Sequence, residues 1–396
     1  MHSRPSTMTV IFAAVQLSTR VASRQSKATN LSHQLFRRGS SLRSLSTSSS
    51  SSSSSLNDDN KYFTIGLTGA SGLIGTALRD EISNIGSING KPVRCVALKR
   101  GSKADKKPLN DDSANTSLVW NPNGKTPEEV IDPSALQDMD AIVHLSGENI
   151  STGLSGPLAP LGIRPWTDAK KKEIIDSRVI TTRALAQAIA KSEKKPSFLV
   201  AGGVGAYGPD FFEGAKAADE SADISKSTGF LAEISRKWEG AAQEADDSGA
   251  RVVKMRNGVV LSTKGGAMAK LYPIFLLGGG GIVGSGKQYF PFISARDMAR
   301  AMIHVLQTPS LNGPVNMCAP SGCTNAEFTS AIGKVLRRPT ILPFPSFAVS
   351  LLFGEMGEEI LLGGTRAQPQ KLLDSGFEFA HPTVEEAVQS AVDEDI

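Results

Sequence analysis

From residue 62 onward, hydrophobic and polar positions follow two periods, one typical of strands and one typical of helices. Short apolar runs bounded by glycine or polar residues predict strands. Longer stretches with apolar residues three and four apart predict amphipathic helices. The predicted strands are 62–68, 93–98, 117–120, 140–147, 197–203 and 251–261. The predicted helices are 73–85, 167–192, 229–249, 295–307 and 325–338.

Strands that alternate with helices of this length predict an α/β fold with a doubly wound parallel sheet. Beyond Leu261 the pattern loosens into a glycine-rich and aromatic stretch, 277–294. We therefore expect a first domain over 62–305 and a smaller C-terminal lobe over 310–396. We expect that lobe to cover the carboxyl edge of the sheet, where ligands of such sheets bind.

The first 55 residues differ in composition from the rest of the chain. They carry seven Arg or Lys side chains, no Asp or Glu, and an unbroken serine run from Ser48 to Ser55. This composition predicts an organelle transit peptide, mitochondrial in character, with a plastid address as the alternative and a disordered tail as a further one. The apolar stretch "VIFAAV" is too short to span a membrane, and we predict no transmembrane segment.

Net charge gives no reason to expect a nucleic-acid partner. The whole chain is +4, and removing the seven N-terminal positive charges leaves the remainder near −3. No basic stripe with interleaved aromatic residues occurs elsewhere, so the predicted partner is a small-molecule substrate. The three cysteines and five histidines have no disulfide or metal-ligand spacing, and His144 is expected to be a buried strand residue.

The stretch "FTIGLTGASGLIG" places three glycines between the first strand and the first helix. In such a βαβ unit the first glycine permits the tight turn, the second lets the backbone approach a pyrophosphate, and the third allows close packing of helix on strand. The hydroxyls of Thr68 and Ser71 stand at the helix N-terminus, where partial positive charge favours phosphate. The residues expected to contact a dinucleotide are Gly69, Ser71, Gly72, Leu73, Ile74 and Gly75.

The end of the next strand discriminates between the two nicotinamide cofactors. An acid there binds the ribose 2′-hydroxyl of NAD, whereas a cation accommodates the 2′-phosphate of NADP. The strand ends in Lys99 and Arg100, and no acid precedes Asp105. The sequence therefore favours NADP, with a solvated pair of cations as the structural alternative.

Several ordered motifs together resemble the extended and atypical short-chain dehydrogenase/reductase superfamily, and within it the "epimerase family protein" branch. They include "TGASGLIG", "HLSGENI", "KMRNGVVLS" and the tail "PFPSFAVSLLFGEMGEEILLGG". The resemblance runs from about Phe63 to the C-terminus. It implies an NAD(P)-binding Rossmann-type domain and a family-specific C-terminal domain of unknown function over about 343–391.

The resemblance also implies further cofactor contacts, which no residue pattern establishes alone. Leu145 and Ser146 match the backbone edge along which the cofactor lies. Glu173 and Arg178 match polar helix positions near the cofactor, and Val260 matches the turn beside the nicotinamide.

The catalytic residues usual in this superfamily are missing. A tyrosine and a lysine four residues later normally share one helix face, and the ammonium lowers the pKa of the phenol. No tyrosine of the chain has such a lysine, and alignment by "KWEGAA" puts Leu231 and Ser235 at the two positions. Gly202 and Gly203 stand where relatives often have a hydroxyl residue.

The remaining candidates for proton transfer are Tyr207 and Glu148. Tyr207 follows a strand, and without a lysine its pKa is expected near 10. A structural role, in which the ring packs over the cofactor, is as compatible with the sequence as proton transfer is. Glu148 is a candidate carboxylate acid/base, with loop ordering as its alternative.

Two functions are compatible with this sequence. The first is an NADP-dependent oxidoreductase or epimerase-like enzyme acting on an unknown small metabolite. The second is a non-catalytic NADPH-binding sensor or docking protein in an organelle, favoured by the missing dyad.

Overall fold

The computed structural model describes residues 61–104, 116–150, 166–211 and 217–394, without the side chains of 210 and 211. Within the chain, Tyr62–Ile396 forms one compact unit. The predicted transit peptide over 1–55 lies outside the described residues.

Twelve strands are described, and most lie where the apolar runs predict them. They are β1 (Phe63–Thr68), β2 (Ser87–Ile88), β3 (Lys91–Arg100), β4 (Ser117–Trp120), β5 (Ala141–His144), β6 (Ser197–Gly203), β7 (Asp210–Phe211), β8 (Val252–Asn257), β9 (Val259–Leu261), β10 (Phe292–Ser294), β11 (Gly313–Met317) and β12 (Gly364–Thr365).

The helices of the described residues surround these strands. They are α1 (Leu73–Ile85), α2 (Pro127–Val130), α3 (Pro133–Gln137), α4 (Asp168–Lys191), α5 (Phe230–Gly240), α6 (Gln243–Asp247), α7 (Gly266–Leu276), α8 (Ala295–Gln307), α9 (Asn325–Leu336), α10 (Ser346–Phe353), α11 (Glu355–Gly357), α12 (Gln370–Asp374) and α13 (Val384–Asp393). A 3₁₀ turn, Val204–Tyr207, follows β6, and a π-helical turn, Glu358–Leu362, follows α11.

The main sheet has eight strands in the order β11-β8-β6-β5-β1-β3-β2, with β4 also paired to β3. All pairs are parallel except the short antiparallel contact of β2 with β3. The chain runs outward from β1 in one direction through β3 and β4, and in the other through β5, β6, β8 and β11. The predicted doubly wound α/β sheet is therefore confirmed, and its switch point lies between β1 and β5.

Side chains that alternate along each strand supply two buried layers. Ile65 and Leu67 of β1 face one cluster with α1 and α8. Val96 and Leu98 of β3 face the other cluster, with α3 and α4. A third cluster, which includes Phe292, Phe328 and Val388, joins α7, α9 and α13.

The structure divides two predicted elements. The strand expected over 251–261 ends at Asn257 and resumes at Val259 in a separate sheet with β10. A Cβ at Gly258 would lie 3.0 Å from the carbonyl oxygen of Pro291, so the backbone of this crossing passes close to a distant segment. The helix expected over 229–249 is interrupted after Gly240, a residue with low helix propensity.

The C-terminal portion reaches the carboxyl edge of the main sheet, as expected. The hydroxyl of Thr365 donates to the carbonyl of Gly208, and the side-chain amide of Asn316 donates to the carbonyl of Gln368. Strand β11 also lies beyond the expected domain boundary at 305–310 yet belongs to the main sheet.

Candidate functional site

Steric contacts explain two of the three glycines in the loop between β1 and α1. Gly69 has φ +69°, and a Cβ there would lie 3.1 Å from the carbonyl carbon of Leu145. A Cβ at Gly75 would lie 2.3 Å from the carbonyl oxygen of Gly69. The loop thus draws the ends of β1 and β5 together at the switch point.

The first turn of α1 lies at the carboxyl edge of the sheet. Gly72 is the N-cap and makes no side-chain cap bond, and no acidic residue lies in the first turn. Ser71 is exposed beside it. Backbone amides at the positive end of this 13-residue helix form a favourable environment for an anionic group.

Thr68 does not offer its hydroxyl to this helix end, contrary to expectation. Its Oγ1 accepts from the amides of Leu145 and Ser146 and lies 2.8 Å from Nδ1 of His144. Both Thr68 and His144 are fully buried, as expected for His144. Thr68 therefore fixes the backbone edge after β5 instead of facing a phosphate.

Lys99 and Arg100 end β3 and are both exposed. They pair in register with Val119 and Trp120 of β4. Because consecutive residues of a strand point to opposite faces, the two cations leave the sheet on different sides. Lys99 is on the face of Cys95, which packs with the α1 cluster, and Arg100 is on the face of the opposite cluster.

Glu148 and Glu173, together with the unpredicted Lys170, form one ion-pair cluster beyond the end of β5. Lys170 is only 2% exposed, and its Nζ lies 2.5 Å from Glu148 Oε1 and 3.2 Å from Glu173 Oε2. Sequence reasoning missed Lys170 because "KKKE" is typical of a solvated helix face. Lys170, Ile174 and Arg178 are spaced four apart, and this spacing was the signal for a common buried face.

Arg178 holds the backbone of the same loop. Its guanidinium donates to the carbonyls of Glu148 and Ile174 and lies over the Trp238 ring at 4.8 Å. Burial lowers the pKa of Arg178 to about 10. A Cβ at Gly147 would lie 3.1 Å from Cζ of Arg178, so the loop packs directly on the guanidinium.

Tyr207 is buried in a polar network and not open to a ligand. Its hydroxyl donates to Asn316 Oδ1 at 2.7 Å and accepts from Arg256 at 3.0 Å. Arg256 is itself paired with Glu239. Burial raises the pKa of Tyr207 to about 12, so the expected value near 10 is wrong. These contacts support a structural role and not the expected proton transfer.

Val260 lies in β9, close to the start of α1. The turn after β9 places Gly265 and Gly266 against Leu73. A Cβ would lie 3.3 Å from the Leu73 side chain at Gly265 and 3.6 Å from it at Gly266. A Cβ on Gly266 would also lie 3.6 Å from the carbonyl oxygen of Val260. Val260 is a buried member of the cluster that also contains α1, and Leu73 and Ile74 both pack against this cluster.

The positions expected for the missing dyad lie at the start of α5. A carboxylate from the C-terminal portion occupies this helix end, since Glu359 accepts from the amides of Phe230 at 2.6 Å and Leu231 at 2.9 Å. Ser235 donates to the carbonyl of Leu231. Sequence reasoning gave no signal for Glu359, which lies 128 residues from Leu231 in the chain.

Asn257 was also missed. Its Oδ1 has no hydrogen-bond partner among the described residues although the atom is buried. It ends β8, in register with Gly203 of β6. A buried acceptor without a partner is uncommon in folded proteins.

Ser294 caps α8 and lies 2.9 Å from Nδ1 of His381. Among the described residues no group of three His, Cys, Asp or Glu side chains could hold a metal ion. No helix in the same ranges is long and apolar enough to cross a membrane.

The switch point, the glycine loop and the N-terminus of α1 define a dinucleotide-binding α/β protein. Residues 65–318 match the model of the NAD-dependent epimerase/dehydratase family, and residues 344–391 match a domain of unknown function, DUF1731. The chain belongs to the NAD-dependent epimerase/dehydratase family.

Relatives with high coverage come from bacteria, animals and plants. The epimerase family protein Mb2239 of Mycobacterium bovis is 38% identical over 82% of this chain and 96% of its own length. The Arabidopsis thaliana protein named epimerase family protein SDR39U1 homolog, chloroplastic, is 32% identical over 83% of this chain and 86% of its own length. The crystal structure of the human epimerase family protein SDR39U1 with NADPH is similar with a TM-score of 0.67 and 32% identity, over 84% of this chain and 99% of that one.

Proposed function

We propose that this protein is an NADP(H)-dependent oxidoreductase or epimerase-like enzyme acting on a small metabolite. The observation that carries the proposal is the cradle at the switch point, where Gly69 has a positive φ and a Cβ at Gly75 would collide with the Gly69 carbonyl oxygen. The human relative was crystallised with NADPH, which supports the choice of cofactor. Bound NADPH would supply a hydride.

The cofactor is proposed to lie along the loop between β1 and α1 and across the end of β5. Backbone amides at the start of α1 bind the pyrophosphate, and at least one of the two cations at the end of β3 binds the 2′-phosphate. The proposed contacts are Gly69, Ser71, Gly72, Leu73, Ile74, Gly75, Lys99, Arg100, Leu145, Ser146, Glu173, Arg178 and Val260.

Glu148 is the proposed proton-transferring group. Its carboxylate is about one-third exposed, and Lys170 holds it from the buried side. Its backbone is fixed by Ser177 and Arg178. Asn257 is proposed to accept a hydrogen bond from the substrate, because its Oδ1 has no partner among the described residues. Tyr207 is proposed to hold Asn316 and Arg256 in place.

Calorimetric titration of the chain lacking residues 1–55 with NADPH and NADH tests cofactor choice. We expect the combined Lys99→Ala and Arg100→Ala variant to weaken NADPH binding and leave NADH binding nearly unchanged, and the two single variants to show which cation contacts the phosphate. Removing one charge-assisted hydrogen bond to the phosphate corresponds to roughly tenfold or more in affinity. Equal weakening for both cofactors would show that the pair does not read the 2′-phosphate.

Nicotinamide absorbance with a panel of carbonyl compounds tests the reaction. Turnover that is lost in Glu148→Gln and kept in Glu193→Gln, at an exposed carboxylate outside the proposed site, would support the enzyme and the role of Glu148. Tight NADPH binding without turnover on any compound would favour the non-catalytic sensor or docking protein, for which the missing dyad is the supporting observation.

The domain organisation and address form part of the proposal. Because β11 pairs with β8, the proposed Rossmann-type domain extends beyond the expected 62–305 to Met317, and the remainder of the expected lobe over 310–396 follows it. A transit peptide over 1–55 is proposed to precede both. The proposed address is mitochondrial, with a plastid as the alternative suggested by the chloroplastic name of the plant relative. Fusing residues 1–60 to a fluorescent protein and imaging both organelles distinguishes the two addresses.

A further inference from the structure

One asparagine at the carboxyl edge of the main sheet has an unused acceptor. Among the described residues, Oδ1 of Asn257 is the only buried side-chain nitrogen or oxygen without a hydrogen-bond partner. Asn316, on the neighbouring strand β11, shows the usual arrangement, because its Oδ1 accepts from Tyr207 and its Nδ2 donates to two backbone carbonyls. Buried polar groups in folded proteins are nearly always paired, so the free acceptor of Asn257 requires an explanation.

The side chain of Asn257 lies on the face of the sheet that carries the glycine loop and α1. Consecutive residues of a strand point to opposite faces, and the preceding residue, Arg256, is paired with Glu239 of α5. Met255, two residues before Asn257, packs in the cluster formed with α1 and α8. Asn257 therefore stands on the α1 face, three strands from β1 or about 14 Å along the edge. The proposed cofactor site begins at β1 on this face, and Asn257 is at its far end, where the substrate is proposed to lie.

Gly203 leaves the space beside Asn257 open. The two residues are in register on β6 and β8, and partners in a parallel pair point to the same face. The backbone does not require glycine there, since Gly203 has φ −148° and ψ 149°, an extended conformation open to any residue. Contacts do not require it either. A Cβ at Gly203 would meet no atom of the described residues nearer than 3.9 Å, whereas a Cβ at Gly202 would lie 3.1 Å from a backbone oxygen.

We propose that Gly203 and Asn257 determine specificity by selecting a substrate with a hydroxyl donor, so that a hydroxyaldehyde or hydroxyketone is preferred to the same carbonyl compound without the hydroxyl. This inference rests on the proposed function. Asn257 Oδ1 accepts from the substrate hydroxyl, and the absence of a side chain at Gly203 gives that hydroxyl its place. A substrate without the donor leaves the buried acceptor unpaired and loses the corresponding free energy of binding.

Urea unfolding of the ligand-free full chain tests whether the acceptor is free in solution. Asn257→Leu breaks no hydrogen bond seen among the described residues and should leave the unfolding equilibrium constant within about threefold of the wild-type value. Asn316→Leu is the matched control and should raise that constant about tenfold or more, because its buried partners lose their bonds. A loss of stability at Asn257 equal to that at Asn316 would overturn the proposal.

Two substitutions at Gly203 test the same point without changing Asn257. Both Gly203→Ala and Gly203→Ser fill the open space, but only serine brings a hydroxyl that can donate to Asn257 Oδ1. The serine variant should therefore have an unfolding equilibrium constant about fivefold lower than the alanine variant. Equal constants for the two variants would show that the acceptor is not available to a hydroxyl at this place.

Specificity is measured at saturating NADPH with two pairs of carbonyl compounds, glyceraldehyde with propanal and dihydroxyacetone with acetone. The ratio of kcat/KM within each pair is compared between wild type and Asn257→Leu, because this comparison cancels the difference in intrinsic reactivity. The wild-type ratio should favour the hydroxylated compound by about tenfold or more relative to the variant. Calorimetry should give both proteins the same NADPH affinity within about threefold.

The contrary results are distinguishable from one another. Equal ratios in wild type and Asn257→Leu, with turnover in both, would overturn this inference and leave the proposed function standing. A tenfold loss of NADPH affinity in Asn257→Leu would also overturn it, because the donor would then be the carboxamide of the nicotinamide. NADPH binding without turnover on any compound would remove the proposed function and this inference with it.

Discussion

The contact between Gly75 and Gly69 sets how closely α1 can approach the end of β1. A Cβ at Gly75 would lie 2.3 Å from a backbone oxygen, and backbone cannot move aside as a flexible side chain can. Gly72 is less constrained, since its Cβ would lie 3.3 Å from the same oxygen.

We predict that Gly75→Ala destabilises the protein by about 1–3 kcal/mol and weakens NADPH binding at least tenfold. Gly72→Ala should cost less stability because the Gly69 oxygen needs to shift by only a few tenths of an ångström. Urea unfolding and calorimetry measure the two effects. Gly240→Ala, where a Cβ would meet nothing within 4 Å, is the control and should be neutral or slightly stabilising. Equal losses at Gly75 and Gly240 would contradict the steric argument.

His144 links stability to pH. Burial lowers the pKa of His144 to about 3, whereas an unfolded histidine has a pKa of about 6.5. The unfolded chain therefore binds a proton that the folded one rejects, and stability is lost as pH falls below 6.5. We predict a decline from this residue of about 1.4 kcal/mol per pH unit.

Urea unfolding between pH 7 and 4.5 measures the slope. A His144→Gln variant starts less stable, because Thr68 and Thr181 lose their contacts with the ring. Its free energy of unfolding should nevertheless depend less steeply on pH. A slope unchanged by the substitution would mean that other groups cause the acid sensitivity.

At the scale of elements, the sequence predicted the parts that depend on local pattern. Six parallel strands of the main sheet, the helix α1 and the glycine loop follow from hydrophobic period and turn residues, and the structure confirms them. The division at Gly258 was not predicted, because it depends on the approach of Pro291 from a distant segment. Lys170 was missed for a related reason: its burial depends on Glu148, which another element supplies.

Helix α5 shows how a distant residue completes an element. Its N-cap is Gly229, which has no side chain to bond the first amides. Glu359 supplies that cap across the fold through both carboxylate oxygens. A carboxylate at a helix N-terminus is stabilised by two charge-assisted hydrogen bonds and by the helix dipole.

We predict that Glu359→Ala lowers the free energy of unfolding by about 1–2 kcal/mol, the usual cost of losing a cap. Glu358→Ala is the control on the same turn, where the side chain is exposed, and should change stability by less than about 0.5 kcal/mol. Hydrogen exchange at the amides of Phe230 and Leu231 gives a direct readout. Both amides should exchange faster in Glu359→Ala and not in Glu358→Ala. Unchanged protection there would show that the carboxylate does not cap α5 in solution.

At the scale of the whole molecule, the two expected domains share buried surface. Strand β11 belongs to the expected C-terminal lobe yet pairs with β8 of the main sheet. Glu220 joins three segments, since it accepts from the amides of Asn316 and Lys371. Phe292 lies in one cluster with Phe328 and Val388.

These shared contacts predict that the C-terminal lobe is required for the first domain to fold. A chain of residues 56–307 lacks β11. A chain of residues 56–318 keeps β11 but exposes Leu261, Phe275 and Phe292, which α9 and α13 cover in the full chain. We expect both to be insoluble or to bind a dye specific for exposed apolar surface, with residues 56–396 as the control. The comparison of the two truncations matters, because only the first breaks the main sheet. If residues 56–318 formed a cooperative unit that still bound NADPH, the lobe would be an accessory to the cofactor site, and the cluster around Phe292 would not be essential to the core.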